Sequence, residues 1–157
     1  YDVEVVGLRY FNVFGYRQDP NGAYAAVIPR WVEDMRQGRD VYINGDGETN
    51  RDFCFVSNVV QANVLAALGE AATQHSVYNV AFGESTTLNE LFAYIKTSLQ
   101  RKGVEYALEP VYREFRQGDV QSSLASIDRA STTLGYSPRF SVRDGLELYL
   151  DSLLGLS

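Results

Sequence analysis

The chain has 157 residues, a hydrophobic fraction of 45% and a formal net charge of −6. This length suits one compact domain or part of a larger one, and the apolar content suffices for a globular core, which excludes a disordered chain. An acidic chain without a basic stripe is poorly suited to nucleic acid, and no apolar run is long enough to cross a bilayer. We therefore expect neither nucleic acid nor a membrane as a partner.

Cysteine and histidine usage narrows the chemistry further. The chain has one cysteine, Cys54, and one histidine, His75, so it forms no internal disulfide and offers too few ligands for a zinc site. We therefore expect a cytoplasmic location and no metal. The chain begins at Tyr1 and its one methionine is Met35. We expect either a piece of a longer protein or a chain whose leading residues are left out.

The first half of the chain predicts strands, helices and one long loop. We expect a buried strand over residues 3–8, a loop over 12–24 and a helix over 26–37. Two strands follow over 41–43 and 51–56, and then a helix from 57 or 58 to 68. Pro29 is tolerated in the first turn of its helix, and Gly38 lies near the helix end. Alternation over the second short strand predicts Cys54 on one face and Phe53 and Phe55 on the other.

The second half predicts a strand over residues 77–80, a helix over 88–99 and an extended segment over 106–111. Two further helices are expected over 128–134 and 142–153. Thr87 and Glu90 have the spacing of a capping box, Gly135 ends the short helix, and Ser141 caps the last one. The result is a mixed α/β array in which only the first strand is typical of a large parallel sheet.

A turn-rich loop at residues 44–53, with the sequence Asn-Gly-Asp-Gly-Glu-Thr-Asn-Arg-Asp-Phe, delivers Arg51 into an aromatic strand. Gly45 and Gly47 permit positive φ angles and close approach of a ligand. The planar guanidinium of Arg51 is suited to grip a phosphate group. No third glycine follows at Asn50, so the loop is not a dinucleotide-binding fingerprint.

Two further polar clusters follow predicted strands. Arg9 and Asn12 follow the first strand, at the end where ligands collect in α/β sheets. Asn12 therefore either binds a sugar hydroxyl or phosphate oxygen or simply begins a turn. Arg116 and Asp119 are suited to a phosphate and a ribose diol, or to a local ion pair in a solvated turn. Together with Arg51, these groups favour a site for a nucleotide diphosphate.

Other polar and aromatic groups are assigned structural roles. Tyr94 belongs to the apolar face of its helix, and Cys54 is expected as a small buried thiol rather than a nucleophile. The carboxylates of Asp46, Glu48 and Asp52 are expected in turns and at strand edges. They predict neither an acid/base pair nor a metal site.

The segments 8–15, 26–30, 44–53 and 116–119 occur in the order found in a known family. The chain resembles the C-terminal half of extended short-chain dehydrogenase/reductases that act on nucleotide sugars, and most of all the UDP-N-acetylglucosamine 4-epimerases. The resemblance implies an α/β fold in which residues 1–157 form a single substrate-binding region, with one or two strands of an NAD(P)-binding Rossmann sheet. It also implies that NAD is bound mainly by an N-terminal portion absent from this sequence.

The resemblance implies roles for individual residues. Asn12 would contact the diphosphate-sugar, and Phe11 would lie beside the nicotinamide of NAD. Arg51 and Arg116 would neutralise the diphosphate, and Asp119 would hold the ribose. The nucleotide and its uracil would be lined by Ala26, Val27, Tyr42, Ile43 and Asn44.

Ser123, four positions after Asp119, bears on the choice of sugar. At the matching position of similar 4-epimerases a tyrosine restricts the site to sugars without an N-acetyl group, whereas a small residue leaves room for one. The resemblance therefore implies UDP-GlcNAc and UDP-GalNAc as substrates. In one departure from the family pattern, Ala125 is followed by Ser126 where the family commonly has aspartate.

The sequence lacks the catalytic pair of this family, a Tyr-x-x-x-Lys motif for proton transfer. Lys96 and Lys102 are preceded at that spacing by Phe92 and Ser98. We therefore expect no catalytic residue in this chain and no activity from it alone. A homodimer is expected for the complete protein and self-association for this chain. The alternatives are a non-catalytic nucleotide-sugar-binding or interaction module, or part of a related nucleotide-sugar dehydratase or decarboxylase.

Overall fold

The computed structural model describes residues 5–22, 26–69 and 76–156. The strands are β1 Val6–Tyr10, β2 Val13–Phe14, β3 Tyr42–Asn44, β4 Asn50–Arg51, β5 Cys54–Phe55, β6 Ser76–Val80, β7 Thr86–Thr87, β8 Val111–Arg113 and β9 Ser122–Ser123. The helices are α1 Val27–Arg36, α2 Val56–Leu68, α3 Leu88–Arg101, α4 Asp128–Leu134 and α5 Val142–Leu154. The predicted helices are confirmed, with ends shifted by a few residues, and the mixed α/β array is confirmed with them.

The strands form four small sheets in the described residues. β1 pairs with β6, β2 with β5 and β3 with β8, all in parallel. β4 lies between β7, which is antiparallel to it, and β9, which is parallel. These pairings join segments that are far apart in the sequence, so they hold the loops around one region of the surface.

Two expectations about strands were wrong. The loop expected over residues 12–24 contains β2. The segment expected to be extended over 106–111 leads into β8, which begins at Val111. The strand expected over 51–56 is broken between β4 and β5, and α2 begins directly at Val56. Residues 52–55 are all buried. The predicted alternation still holds, because Phe53 and Phe55 belong to one hydrophobic cluster and Cys54 to another.

Helix ends follow their local sequence signals. Thr87 and Ser141 each cap a helix through a complete capping box with Glu90 and Asp144, in which side chain and backbone bond in both directions. Gly135 ends α4 with a left-handed φ of 70°, a conformation that favours glycine.

Two hydrophobic clusters hold the elements together. The larger one gathers α1, α3 and α5 and includes Trp31, Phe92 and Leu146. The smaller one packs α2 and α4 against β6 and includes Ala62 and Tyr78. Within the described ranges, no helix combines the length and apolar character needed to cross a membrane.

The first strand is less buried than its sequence suggests. Val5, just before β1, is 54% exposed, Tyr10 is 50% exposed, and Val77 of the neighbouring β6 is 49% exposed. The expectation of a buried strand is therefore wrong for this chain. The physical reason is that β1 has a single described strand partner, so part of its apolar surface is uncovered. Residues 3 and 4, also assigned to this strand, lie outside the described residues, as does His75.

Candidate functional site

A cavity of about 390 Å³ opens beside the larger hydrophobic cluster. It is bounded by the start of α1, the segment after β1, strand β3 and the loop that leads into β4. Seven residues singled out from the sequence line it: Asn12, Ala26, Val27, Tyr42, Asn44, Arg51 and Asp119. Segments remote in sequence therefore meet at one cavity, as the ordered motifs predicted.

The N-terminus of α1 faces this cavity. Ala26 is the N-cap residue and makes no side-chain capping hydrogen bond, and Val27 and Ile28 begin the helix. All three line the cavity. Because the first N–H groups of a helix have no intrahelical partner, this end of α1 suits an oxygen-rich ligand.

Asn12 is held in a strained backbone conformation at the cavity. Its φ is 33°, which few residues other than glycine and asparagine adopt readily. Its Nδ2 donates to the carbonyl oxygen of Asp52 at 3.0 Å, and its own carbonyl accepts from the Cys54 N–H at 3.3 Å. Asn12 thus combines a positive φ with a place in the cavity wall.

The loop over residues 44–51 depends on two glycines. Gly45 and Gly47 both have φ of 82°. A Cβ at Gly47 would lie 2.0 Å from Oδ1 of Asn89, a side chain that also donates to the Asp46 carbonyl and to Glu48. The loop is therefore fastened to the start of α3, and a larger residue at position 47 would have to displace the Asn89 side chain that makes these contacts.

Among the described arginines that line the cavity, Arg51 makes the shortest ion pair. Its Nη2 lies 2.7 Å from Oδ1 of Asp119, and its Nη1 donates to the Asn50 carbonyl at 2.8 Å. The side chain is 17% exposed, so the planar group is held in place at the cavity wall. The pair that forms is thus Arg51 with Asp119, whereas the local Arg116–Asp119 ion pair considered from the sequence is absent from the described contacts. The Arg116 carbonyl instead accepts from the Asp119 N–H at 3.1 Å.

Four residues named from the sequence are not among the described residues that line the cavity: Phe11, Ile43, Arg116 and Ser123. The Ile43 side chain is fully buried in the larger cluster, because strand alternation turns it away from its neighbours Tyr42 and Asn44. Only its main chain can face a ligand. Ser123 lies opposite Arg51 in the β4–β9 pairing, and its carbonyl accepts from the Asp52 N–H at 2.9 Å.

Asp52 has a role that the sequence did not reveal. It is fully buried, and its two carboxylate oxygens accept from the backbone N–H groups of Phe82 and Gly83, each at 2.9 Å. Burial raises the pKa of this carboxyl, against the opposing effect of those hydrogen bonds. The expectation of a strand-edge carboxylate is wrong, because its donors come from about 30 residues downstream. Through its main chain Asp52 also holds Asn12 and Ser123.

Two arginines lining the cavity add charge. Arg30 lies 3.9 Å from Asp34 one turn along α1. Arg113 of β8 places its Cζ atom 3.4 Å from the centre of the Tyr42 ring. The β3–β8 pairing that brings Arg113 here had no sequence signal beyond an extended segment nearby.

The structural assignments of Cys54 and Tyr94 are in accord with the fold. The Cys54 thiol is fully buried, and burial raises its pKa to about 11, which leaves no thiolate for nucleophilic attack at neutral pH. Tyr94 packs against the larger cluster, and its hydroxyl accepts from Arg143 at 2.8 Å. Among the described residues, no group of three or more histidine, cysteine or carboxylate side chains is placed to hold a metal ion.

Comparison with known proteins gives the family. The model for the NAD dependent epimerase/dehydratase family matches residues 1–81. A UDP-glucose 4-epimerase of Mycolicibacterium smegmatis is 34% identical over 146 residues, which cover 93% of this chain and 44% of that protein.

Two solved structures share the fold over nearly the whole chain. The UDP-glucose 4-epimerase of Thermotoga maritima, solved with UDP-glucose, gives a TM-score of 0.89 at 38% identity and covers 99% of this chain and 48% of its own. The UDP-N-acetylglucosamine 4-epimerase of Methanobrevibacter ruminantium, solved with UDP-N-acetylmuramic acid, gives a TM-score of 0.85 at 35% identity. The match covers 100% of this chain and 48% of that protein.

The chain belongs to the NAD dependent epimerase/dehydratase family. The predicted α/β fold class is confirmed by the solved epimerases that share it, and the family's dependence on NAD agrees with the predicted cofactor. The chain spans just under half the length of the curated relatives it matches.

Proposed function

We propose that this chain forms the UDP-sugar-binding portion of an NAD-dependent nucleotide-sugar 4-epimerase. The observation that carries the proposal is the meeting of Asn12, Asn44, Arg51 and Asp119 at one cavity beside the N-terminus of α1. A fixed guanidinium, amides and a helix N-terminus suit a diphosphate flanked by a ribose and a planar base. The UDP-sugar ligands of two structural relatives support the choice of nucleotide.

Each side chain has a defined task in this proposal. Arg51 and Arg116 balance the charge of the diphosphate, and Asn12 contacts the diphosphate-sugar. Asp119 pairs with Arg51 through Oδ1, so its second oxygen accepts from the ribose hydroxyls. The nucleotide is lined by Ala26 and Val27, and its uracil by Tyr42, Asn44 and the main chain of Ile43.

The cofactor contributes chemistry that this chain does not carry. NAD, when bound, takes a hydride from C4 of the sugar and returns it to the opposite face. Phe11, half-buried after the carboxyl end of β1, is the residue we assign beside the nicotinamide. Because no Tyr-x-x-x-Lys pair occurs in the 157 residues, the isolated chain turns over no UDP-sugar. Measurable epimerisation of UDP-GlcNAc by this chain with NAD would contradict this assignment.

The sugar is an N-acetylhexosamine in this proposal, on the strength of Ser123. The β4–β9 pairing sets Ser123 directly opposite Arg51, so a bulkier side chain there would narrow the space next to the diphosphate group. In the complete enzyme, Ser123→Tyr is expected to lower turnover of UDP-GlcNAc and spare that of UDP-Glc. Unchanged preference between the two sugars would refute the role of this position.

Nucleotide binding is testable through the chain's one tryptophan. Trp31 lines the cavity, so UDP should change its fluorescence in a saturable way. A half site is poorly enclosed, and we expect a Kd of about 1 mM, equivalent to about −4 kcal/mol. Arg51→Ala is expected to weaken binding at least about tenfold, since hydrogen bonds to charged groups contribute about 1.5–3 kcal/mol.

Arg101→Ala provides the matched control. Arg101 is exposed near the far end of α3, about 20 Å along the helix from the cavity residue Leu88, and its loss should leave UDP binding unchanged. A fluorescence signal that does not saturate with UDP, or that is indifferent to Arg51→Ala, would defeat the proposed function.

The uncovered apolar surface at β1 and β6 supports a proposal about assembly. Val5 and Val77 are each about half exposed, and apolar strands left open pair readily with other chains. We expect this chain to self-associate, and the complete protein to form a homodimer. A strictly monomeric sedimentation profile for this chain across its soluble concentration range would contradict the first expectation.

A further inference from the structure

Tyr42 and Arg113 form a stacked pair at the cavity wall. The Cζ atom of Arg113 lies 3.4 Å from the centre of the Tyr42 ring, and both residues line the cavity. At this separation, guanidinium nitrogens pointing into the ring would overlap its atoms, so the planar group must lie flat against the ring. The opposite face of the guanidinium is then available to a ligand.

The backbone under this pair is fixed by strand pairing. Arg113 lies opposite Asn44 in the parallel β3–β8 ladder, and its carbonyl accepts from the Gly45 N–H at 2.8 Å. Tyr42 and Asn44 lie two positions apart on β3 and therefore project to the same side. A planar surface and an amide are thus presented together.

Charge partners distinguish Arg113 from the other arginines of the cavity. Arg51 is paired with Asp119 at 2.7 Å, and Arg30 lies 3.9 Å from Asp34. Among the residues that the structure describes, no carboxylate forms an ion pair with Arg113. What orients this guanidinium is the aromatic ring, which covers one face of it. Among the described contacts, the other face and the N–H edge have no partner.

We propose that the Tyr42–Arg113 stack is a platform on which the nucleobase of the ligand lies, with the base against the outer face of the guanidinium. The inference rests on the proposed function and adds a residue, Arg113, to that site. Guanidinium planes stack on nucleobases as aromatic rings do. The neighbouring amide of Asn44 is placed to meet the polar edge of a pyrimidine, and the diphosphate is left to Arg51 and Arg116.

A planar platform and a simple positive charge predict different behaviour. A base contacts the face of the guanidinium and needs its plane, whereas a phosphate contacts its edge and needs only its charge. Lysine in place of Arg113 keeps the charge and removes the plane. Pyrophosphate has the two phosphates of UDP and no base.

The test measures Trp31 fluorescence with UDP and with inorganic pyrophosphate. Arg113→Ala and Arg113→Lys are both expected to weaken UDP binding about tenfold, within the range of base stacking, and to leave pyrophosphate binding unchanged. Arg101→Ala should alter neither titration. Circular dichroism of each variant checks that the fold is intact. We expect it to be, because Arg113 is exposed.

Four outcomes would overturn the inference. Arg113→Lys with the UDP affinity of the unsubstituted chain would mean that charge alone matters. Equal weakening of UDP and pyrophosphate by Arg113→Ala would mean that this residue binds phosphate. If the unsubstituted chain bound neither ligand, the proposed function would fail and this inference with it, whereas UDP binding that is indifferent to both Arg113 variants would remove this inference alone.

Discussion

Arg51 and Asp119 show how single residues prepare the site. They are separated by 68 positions in sequence and joined by a 2.7 Å contact at the cavity wall. The pair fixes the guanidinium before any ligand arrives, which lowers the entropy lost on binding. It also ties the wholly exposed segment 114–121 to the rest of the fold. The same contact therefore serves the stability of a loop and the geometry of the site.

Asp52 joins Asn12, Ser123 and residues 82–83, and removal of its side chain is our prediction at this scale. Asp52→Ala would leave the N–H groups of Phe82 and Gly83 without their acceptors in a partly buried position. We expect the free energy of unfolding to fall by about 3 kcal/mol, measured by urea denaturation. Asp46→Ala is the control, because Asp46 is exposed and its side chain accepts only from the Glu48 N–H among the described contacts. Equal losses from the two substitutions would contradict the structural role of Asp52.

At the scale of elements, the loop before β4 can be tested with two glycines of nearly equal conformation. Gly47 and Gly118 have φ of 82° and 81°, so alanine is strained equally at both. A Cβ at Gly47 overlaps Asn89, whereas one at Gly118 meets nothing within 4 Å. We expect Gly47→Ala to lower the free energy of unfolding by about 1–3 kcal/mol more than Gly118→Ala. Matching losses would mean that the contact with α3 contributes nothing.

The contact between α3 and α5 predicts a pH dependence. Partial burial acts to raise the pKa of Glu147, but hydrogen bonds from Ser98 at 2.6 Å and Lys102 at 2.9 Å outweigh it and lower the pKa below its usual value. A carboxyl whose pKa is lower in the folded state stabilises the fold at pH values above its unfolded-state pKa. This contribution to the free energy of unfolding is lost as the pH falls through the folded-state pKa.

Glu147→Gln should therefore destabilise the chain by about 0.5–1 kcal/mol at pH 7, a value limited by solvent screening. The difference from the unsubstituted chain should shrink progressively below about pH 5. Urea denaturation at several pH values measures it, with the exposed Glu105→Gln as control. A difference that stays constant with pH would rule out the ionised pair as its source.

The helices could be predicted because their signals are local. The capping boxes at Thr87 and Ser141, and the glycine after α4, lie within a few residues of the ends they determine. Strands of two residues have no such signal. Arg51 acquires its neighbours Thr86 and Ser123 only when three distant segments pair, and no periodicity in residues 50–55 announces this.

At the scale of the whole molecule, the order of the motifs indicated which residues come together. No single motif indicated which contacts its own residues make. Asn12, Arg51 and Asp119 were assigned to one site and line one cavity. Their pairing was not predictable, because Asp119 had a nearer candidate in Arg116. Asp52 and Arg113 escaped sequence reasoning since burial and stacking depend on residues 82–83 and on β3, which are distant in the chain.

The cavity between α1, β3 and β4 is proposed to hold the diphosphate and base of a UDP-sugar. A crystal structure of the complete protein with UDP tests this proposal most directly. We predict phosphate oxygens about 2.7–3.2 Å from the Arg51 guanidinium and a uracil ring against the face of the Arg113 guanidinium that points away from Tyr42. UDP bound elsewhere on the protein, with no phosphate oxygen within hydrogen-bonding distance of Arg51, would contradict the claim.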